Sequence, residues 1–502
     1  MLNGIIDIIT KINEFVNGIV WGWPIIILIL AAGLLLSVRT GFLQVTRFRH
    51  SLGATIVPTL KSLGKKKAKD KGESSVSPFE AFATAISGTV GTGNIVGVIS
   101  AILTGGPGAV LWMWISAFFG MVTNYSENVL GLYFRRKNKK GELCGGPFYY
   151  IAHGLKWRWL AYVAVVFCLL ASIGMSGVQT NKISATVTGA LDKATGIEDT
   201  GTVKLIIGIS AAALTGIIII GGIRRISKVA SMLVPFMSLL FIGLSLTAIA
   251  MHIENVPGAF GLIFSKAFTF EAAGGGVLGY TFASVIRKGM ARGVFSNEAG
   301  LGSSVIAHSA SETREPVRQG LWGVFEVFFD TFIICTLTSL TFLTTFDPAE
   351  LSGKEDDILL TIKMFETNFG SFGVVVYTVI LPLFAFTTVL AWSFYGEKAV
   401  EFIFRRAGDR VTRGAVLIFK LVYVMLIVFS TLITGDLIWS IGDTCNGLMA
   451  IPNLIALVAM SGLVAKITRN YFDRRKGKDL EPMLSAYPDL NEEFKKDLAK
   501  ES

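Results

Sequence analysis

Charged residues are scarce in this chain. Only 16% of its 502 residues are charged, 52% are hydrophobic, and the mean hydropathy is +0.59. A soluble protein carries about a quarter charged residues, so the composition excludes an ordinary water-facing surface. We therefore expect a membrane protein whose net charge of +10 resides in its loops.

Cysteine and histidine are also rare, which limits the available chemistry. The four cysteines are dispersed without a CxxC motif, and the four histidines share no ligand spacing, so neither disulfides nor a zinc site is expected. No Ser-Lys dyad, His-Glu-His cluster or paired-Asp motif occurs in the apolar stretches, and we expect no enzyme. No removable signal peptide is expected, because no charged segment precedes an apolar core at the N-terminus.

Apolar runs of membrane-spanning length recur along the chain. A span needs roughly 20 mostly apolar residues. Two further segments, 79–103 and 268–290, are long enough but are diluted by Gly, Ser and Thr. The clear candidates are 20–38, 108–133, 159–188, 203–222, 228–251, 320–345, 371–396, 414–434 and 438–465. Together these segments predict an all-α polytopic protein with about eleven transmembrane helices.

Basic residues gather in alternate connections, as in cytoplasmic loops. The opposite connections, such as 347–357, are acidic or poor in base. The alternation predicts an N-terminus outside and a C-terminus in the cytoplasm of a prokaryotic cell. No aromatic residues are interleaved with the lysines 65–67, so nucleic-acid binding is not expected. The basic clusters lie at 39–71, 135–158, 224–228, 287–292 (Arg287, Lys288 and Arg292), 405–413 and beyond Lys466.

Segment 79–103 contains the run S-G-T-V-G-T-G-N-I-V-G at 87–97. Each interior glycine costs a helix about 1 kcal/mol, and four within eleven positions predict an unwound stretch. Freed backbone groups at membrane depth are tolerated only where protein, water or ligand satisfies them. Two alternatives are glycines that merely permit close helix packing and a dinucleotide-binding loop. The second lacks a preceding strand and a downstream acidic residue.

Segment 268–290 repeats the pattern with Gly274–Gly276, Gly279 and Gly289. Five spans begin with each diluted segment, and corresponding glycine-interrupted segments indicate inverted repeats with a binding site at the midplane. An odd number of spans in each half requires the halves to insert in opposite orientation.

The chain therefore divides into five parts. We expect an additional N-terminal transmembrane helix at 1–38 and a basic cytoplasmic loop at 39–78. The two inverted repeats follow at 79–252 and 266–466, and residues 467–502 form a mobile or loosely docked cytoplasmic tail.

The first interruption has the chemistry to bind an amino acid. Its unpaired amides suit a carboxylate, and the candidates are Gly91, Thr92, Gly93 and Asn94. Sodium is a hard ion that favours hydroxyl and carbonyl oxygens. The candidate sodium ligands are Thr89, Thr387 and the carbonyls near Ser87 and Val90.

Three further polar or aromatic residues are candidates for the substrate site. Thr388 and Trp392 are four residues apart and share a helical face, and Gln179 requires a partner within the bundle. Alternatively, the threonine bonds its own helix and the tryptophan marks the membrane interface. Nearly all spans lack a mid-depth Asp or Glu, which favours sodium over a carboxylate proton relay.

Four motifs resemble the alanine/glycine:cation symporter family of the amino acid-polyamine-cation superfamily over about residues 20–465. The resemblance implies a leucine-transporter-like fold of ten core helices in two inverted repeats, with an additional N-terminal helix. It implies cotransport of alanine or glycine with sodium, sometimes protons, by alternating access. The motifs are S-G-T-V-G-T-G-N-I-V-G (87–97), G-G-P-G-A-V-L-W-M-W (105–114), G-G-P-F-Y-Y-I (145–151) and R-G-V-F-S-N-E-A-G-L-G-S (292–303).

The resemblance also assigns residues. It places the site at the unwound first core helix and matches a T-x-x-x-W pair to Thr388 and Trp392. It implies a cytoplasmic gating or folding loop near Ser296-Asn297-Glu298. The stretch 303–305 lacks the proline that the family often has there.

The expected function is sodium-coupled symport of alanine or glycine, with membrane lipid as surroundings and no obligatory protein partner. A proton-coupled transporter of small amino acids is the alternative. A channel is the second alternative, although channels present rings of like residues, usually in oligomers.

Overall fold

The computed structural model is almost entirely helical, as expected, and describes residues 2–62, 76–139, 141–196, 200–268, 282–348, 351, 356–433 and 435–501. The N-terminal part of the chain contains helices α1 (Leu2–Val20), α2 (Trp23–Thr40), α3 (Leu43–Thr46) and α4 (Phe48–Ser62). Segment 39–78 was predicted as a loop, and two helices in it correct that prediction. Helix α4 is fixed to the bundle because the Ser51 hydroxyl donates to the Leu321 carbonyl at 2.8 Å.

The next part of the chain forms one interrupted helix and four further long helices. It contains α5 (Pro78–Thr89), a 3-10 turn (Thr92–Asn94), α6 (Val96–Gly105), α7 (Ala109–Tyr133), β1 (Arg136–Lys137), β2 (Leu143–Cys144), α8 (Pro147–Tyr150), a π-turn (Ile151–Leu155), α9 (Arg158–Thr195), α10 (Thr200–Ile219) and α11 (Gly222–Met251). Strands β1 and β2 pair antiparallel.

The remaining part repeats this order with a second set of long helices. It contains a 3-10 turn (Ile253–Asn255), α12 (Val256–Lys266), α13 (Phe282–Asn297), α14 (Ser304–His308), α15 (Pro316–Val327), a π-helical segment (Phe328–Cys335), α16 (Thr336–Thr345), α17 (Asp357–Phe404), α18 (Asp409–Ser430), α19 (Gly435–Arg475) and α20 (Pro488–Glu501). Helix α17 is broken at Gly370, whose φ of +59° suits only glycine without strain.

Eight helices of the described residues are long and apolar enough to cross a membrane. Helix α7 and the interrupted α5–α6 pair are not among the eight, so the count of eleven stays a prediction. Large apolar side chains are exposed along α10, α11 and α18, as a lipid-facing surface requires. Examples are Ile206, Leu214, Ile217, Met232, Leu239, Leu417, Leu421 and Met425.

Contacts define two ends of the bundle, named here the Ser77 end and the Gly105 end after the termini of the α5–α6 pair. At the Ser77 end, the Glu312 amide donates to the Val76 carbonyl at 2.8 Å. At the Gly105 end, a β-carbon on Gly105 would lie 2.8 Å from Cβ of Lys288.

The position of Lys288 corrects the predicted location of one basic cluster. Arg292, one turn further along α13, pairs with Asp443 near the start of α19 at 3.5 Å. The cluster Arg287, Lys288 and Arg292 therefore lies towards the Gly105 end. The Arg135 cluster lies at the Ser77 end, since the Arg135 guanidinium donates to the Ser311 carbonyl at 2.7 Å. The prediction that both clusters share one side of the membrane was wrong.

The C-terminal tail is docked on the Ser77 end. Leu484, Leu490 and Phe494 form a small buried cluster. The Ala486 amide donates to the Tyr133 carbonyl at 2.9 Å, and Asp497 pairs with Arg314 at 3.0 Å. Helix α19 itself continues past the predicted tail boundary.

Candidate functional site

The first predicted interruption is present, and it lies inside the bundle. Helix α5 ends at Thr89, the 3-10 turn covers Thr92–Asn94, and α6 begins at Val96. Helix α5 starts with a capping box in which Ser77 and Glu80 exchange hydrogen bonds, with Pro78 at the first position. The residues from Ser87 to Gly97 are all buried.

Gly91 explains why the chain breaks here. A β-carbon at this position would lie 2.7 Å from Thr388 Oγ1 and 3.2 Å from Gln179 Nε2. Only glycine permits this close approach of the main chain to two side chains from other helices. The interruption therefore brings α5, α9 and α17 together at one point.

Two main-chain amides of the interruption donate hydrogen bonds to side chains. The Gly91 amide donates to Asn94 Oδ1 at 2.9 Å, and the Thr92 amide donates to Gln179 Oε1 at 3.2 Å. The Thr92 hydroxyl is buried and has no hydrogen-bond partner within the described part of the chain. Gly93 faces the ring of Phe295, which a β-carbon would approach to 3.2 Å. These contacts show two amides and one hydroxyl that a carboxylate can engage.

Four oxygens are linked in a hydrogen-bonded chain where α17 meets the end of α5, and Thr387 Oγ1 at its far end also contacts Met237 Sδ at 3.8 Å. The Thr388 hydroxyl donates to the Ser87 carbonyl at 2.9 Å and lies 3.0 Å from the Phe384 carbonyl. The Thr387 hydroxyl donates to the same Phe384 carbonyl at 3.0 Å. Hydroxyl and carbonyl oxygens are the ligands of hard cations.

Two predicted sodium ligands are less directly placed. The Thr89 hydroxyl bonds the Ile86 carbonyl of its own helix at 3.3 Å, so no described contact joins it to the oxygens around Thr388. Val90 has the extended conformation that ends α5.

Trp392 is fully buried in the bundle, which excludes the alternative of an interfacial marker. Its ring packs against Tyr395 with centroids 5.4 Å apart, and its carbonyl accepts from the Ser172 hydroxyl at 2.7 Å. The neighbouring residue Ala391 lies against Gly88, one turn before the break, where a β-carbon would be 3.3 Å from Ala391 Cβ. Trp392 is therefore beside the interruption, one turn from Thr388.

The predicted second interruption falls largely outside the described residues, which do not include Gly274–Gly276 and Gly279. Gly289 is inside the continuous helix α13. Among the described residues the chain breaks after Asn297, where Glu298, Gly300 and Gly302 have φ of +54°, +94° and +77°. Segment Glu298–Ser303 connects α13 to α14 and is buried throughout. The predicted cytoplasmic loop at 296–298 is thus part of the bundle interior.

Asp330 links the two interrupted segments, and sequence reasoning missed it. One carboxylate oxygen accepts from Asn94 Nδ2 at 2.6 Å. The other accepts from the Ser296 hydroxyl at 2.8 Å and the Thr331 hydroxyl at 2.9 Å. The run F-F-D-T-F-I-I carried the signal, because an ionisable residue inside a span is a functional candidate by default.

More buried carboxyl groups lie towards the Ser77 end. Glu127 accepts from Asn453 Nδ2 at 2.5 Å and from the Gly302 amide at 3.1 Å. Glu326 lies 2.8 Å from Nε2 of His308. Nearly all spans were expected to lack acidic residues at depth, and the spans 108–133 and 320–345 are the two exceptions among those named here.

The chain is similar to known membrane transporters in sequence and in fold. Residues 6–485 match the model of the sodium:alanine symporter family. The chain is 38% identical to the sodium/alanine symporter AgcS of Methanococcus maripaludis, over 94% of this chain and 99% of the relative. It is 40% identical to an uncharacterized transporter of Haemophilus influenzae, over 93% and 97% of the two chains.

The solved structure of MhsT in complex with L-phenylalanine is similar in fold, with a TM-score of 0.54 and 13% identity over 79% of this chain and 99% of that one. The leucine-transporter-like fold class is thereby confirmed. The protein is a multi-pass membrane transporter and not an enzyme. By its match over almost the whole length, the chain belongs to the sodium:alanine symporter family.

Proposed function

We propose that this protein carries alanine or glycine into the cell together with sodium, by alternating access to a site at the first interruption. The observation that carries the proposal is the meeting of two kinds of group at Gly91. Main-chain amides are on one side, and four oxygens around Thr388 are on the other.

The amides select for a carboxylate. In this structure the Gly91 and Thr92 amides are held by Asn94 and Gln179, which a substrate carboxylate replaces or joins. Amides at the start of a helical turn favour a negative group. The chain's similarity to the sodium/alanine symporter AgcS supports alanine as the substrate.

The four oxygens suit sodium. They come from the Ser87 and Phe384 carbonyls and from the hydroxyls of Thr387 and Thr388. Because Ser87 belongs to α5 and the others belong to α17, a cation here pulls the two helices together. Binding of the ion then favours the arrangement of the break that binds substrate, which couples the two ligands.

Access to the site is closed towards both ends. Towards the Gly105 end, the rings of Phe295 and Trp439 pack at a tilt with centroids 5.3 Å apart, against Gly93 and Gly97. Towards the Ser77 end, the Glu127–Asn453 contact holds the second interruption. In the proposal the Ser77 end is cytoplasmic.

Uptake by purified protein in liposomes tests the function. An inward sodium gradient is expected to drive accumulation of labelled alanine, and a potential negative inside is expected to increase it, because the cotransported zwitterion and ion carry net positive charge. Equal uptake in sodium-free choline buffer at uniform pH would contradict sodium coupling.

Proton coupling is the second candidate, and one observation favours it. Glu326 and Asp330 are one turn apart in the same span, and His308 bonds Glu326 at 2.8 Å, which resembles the Asp/Glu/His chains of proton relays. An inward proton gradient without sodium separates the candidates, since only a proton-coupled carrier concentrates alanine under it. Counterflow excludes a channel, because a pore shows no trans-acceleration.

A further inference from the structure

Three buried polar atoms beside the second interruption have no hydrogen-bond partner within the described part of the chain. They are Glu298 Oε1, Trp392 Nε1 and Tyr395 Oη, and each of the three residues is at most 1% exposed. A buried polar group without a partner costs about 1–3 kcal/mol. Glu298 Oε1 and Tyr395 Oη can accept a hydrogen bond or bind a cation, whereas Trp392 Nε1 can only donate, so the two oxygens indicate a positively charged ligand.

The three groups surround one place. The Trp392 indole N–H faces the Glu298 carboxyl without forming a bond of standard geometry. Tyr395 lies in the electrostatic field of the same carboxyl and packs on Trp392. A β-carbon on Gly88 would lie 2.8 Å from Tyr395 Oη, so this place borders the last turn of α5 before the first interruption.

The main chain at Glu298 is strained in a way typical of binding sites. Its φ is +54°, a conformation that costs a residue other than glycine on the order of 1–3 kcal/mol and persists where surroundings enforce it. The other carboxylate oxygen accepts from the Ser303 hydroxyl. That bond aims Oε1 away from its own loop.

The charge around Glu298 is unbalanced. The charged groups that act on it are Glu326 and Asp330, both acidic. Among the described residues, Glu298 pairs with no lysine, arginine or histidine. Helix α13 ends at Asn297, and the C-terminus of a helix adds further negative potential. An ionised carboxylate in such a place requires a positive partner.

We propose that the Glu298 carboxylate, with Trp392 and Tyr395, forms a subsite for a monovalent cationic group between the two interruptions. The carboxylate supplies the negative charge and the tyrosine oxygen accepts a hydrogen bond, while the Trp392 N–H, a donor, positions the carboxyl. Two sources have this chemistry, namely the α-ammonium group of the bound amino acid and a coupling sodium ion. The inference rests on the transport function proposed above and adds a charged group to its site.

Calorimetric titration of wild type and Glu298→Gln tests the subsite. Alanine is titrated at saturating sodium chloride, and sodium is titrated without amino acid. If Glu298 holds the ammonium group, the substitution weakens alanine binding at least about tenfold and leaves sodium binding within about twofold. If it holds sodium, the sodium affinity falls by that factor and alanine binding at saturating sodium changes little. Both affinities within twofold of wild type would overturn the proposal and assign a proton to the carboxyl.

Two variants keep the result specific. Glu298→Asp retains the charge on a side chain one methylene shorter, so its loss of affinity is expected to be smaller than that of Glu298→Gln. It also tests the subsite if the glutamine variant does not fold. Glu397→Gln removes another buried carboxyl on α17, one paired with Lys420 at 2.9 Å. An equal loss in Glu397→Gln would overturn the assignment to Glu298.

The titrations distinguish a failure of the proposed function from a failure of the subsite. If the wild type binds neither alanine nor glycine, the substrate assignment fails. The comparison is then made with whichever amino acid of a panel of twenty the wild type binds. The sodium titration is independent of that choice.

Discussion

At Gly91 a single methyl group is expected to decide whether the site exists. The β-carbon of Gly91→Ala would come within 2.7 Å of Thr388 Oγ1 and 3.2 Å of Gln179 Nε2, so the three elements must separate. We expect sodium-driven alanine uptake to fall at least about tenfold while the protein still folds. Gly243→Ala is the matched control, because Gly243 has nothing within 4 Å of its added β-carbon. Wild-type uptake by Gly91→Ala would contradict the close approach.

Thr388 offers a test of the ion site alone. Thr388→Val keeps the volume but removes the hydroxyl that contacts the Ser87 and Phe384 carbonyls. The sodium concentration for half-maximal uptake is expected to rise about tenfold, or about 1.4 kcal/mol. Thr378→Val, on the same helix, loses a hydroxyl bonded only to its own Val374 carbonyl and is expected to keep the wild-type sodium curve. Identical curves for both variants would remove Thr388 from the ion site.

Individual site residues were predictable where a polar side chain stood out within an apolar run. Gln179 and Thr388 were found in this way, and the structure places both at Gly91. Asp330 was missed, and Glu298 was assigned to a cytoplasmic gating or folding loop. Asp330 was overlooked in a run that reads as ordinary apolar span. The role of Glu298 depends on where the chain breaks, which the residues around it do not reveal alone.

At the scale of elements, glycine density predicted the first interruption, whereas the break after Asn297 was not predicted. In 87–97 the glycines alternate with polar residues, and the helix does break there. In α13, Gly289 and Gly293 keep the helix intact because they pack against Ala109 and Ser116 of α7. The alternative of packing glycines, considered for both segments, is therefore correct for this helix. The true break combines Asn297 and Glu298 with two glycines of positive φ.

The docked tail predicts a pH dependence of stability. His153, in the π-turn before α9, contacts Tyr487 of the tail with ring centroids 6.1 Å apart. Partial burial, with a further contribution from Arg405, lowers the pKa of His153 from 6.5 to about 4. Between these values the unfolded chain binds a proton that the folded chain does not, so stability is lost as the pH falls from 6.5 towards 4.

Thermal unfolding of the His153→Gln variant measures this effect. The variant lacks the titrating group, so its unfolding temperature should fall less than that of wild type between pH 7 and pH 4. The difference is expected to be on the order of 1 °C, because the side chain is only partly buried and the protein is large. Parallel pH profiles of the two proteins would show that His153 does not contribute.

At the scale of the whole molecule, the two termini are expected on opposite sides of the membrane. Asn13 and Asn17 of α1 bond Ser440 and Asp443 at the Gly105 end, whereas the tail lies at the Ser77 end. The overall architecture was predictable because spans are long and strongly apolar. The side of the membrane on which each charged cluster lies was less predictable. Arg292, for example, pairs with Asp443 and lies over two aromatic rings.

Epitope tags at residue 2 and after residue 502 test the orientation. In intact cells whose outer layers are permeabilised, added protease is expected to remove the N-terminal tag and leave the C-terminal one. The reverse pattern would invert the assignment of the Ser77 end to the cytoplasm, although the fold would be unchanged.

Asn94 links the first interruption to the span 316–345. Its amide oxygen holds the Gly91 amide, its amide nitrogen donates to Asp330, and its carbonyl accepts from the Thr338 hydroxyl at 2.8 Å. Any hinge motion that parted the loosened α5–α6 turn from the span 316–345 would have to rupture two interhelical bonds at this one residue. We therefore expect these two segments to move together during transport.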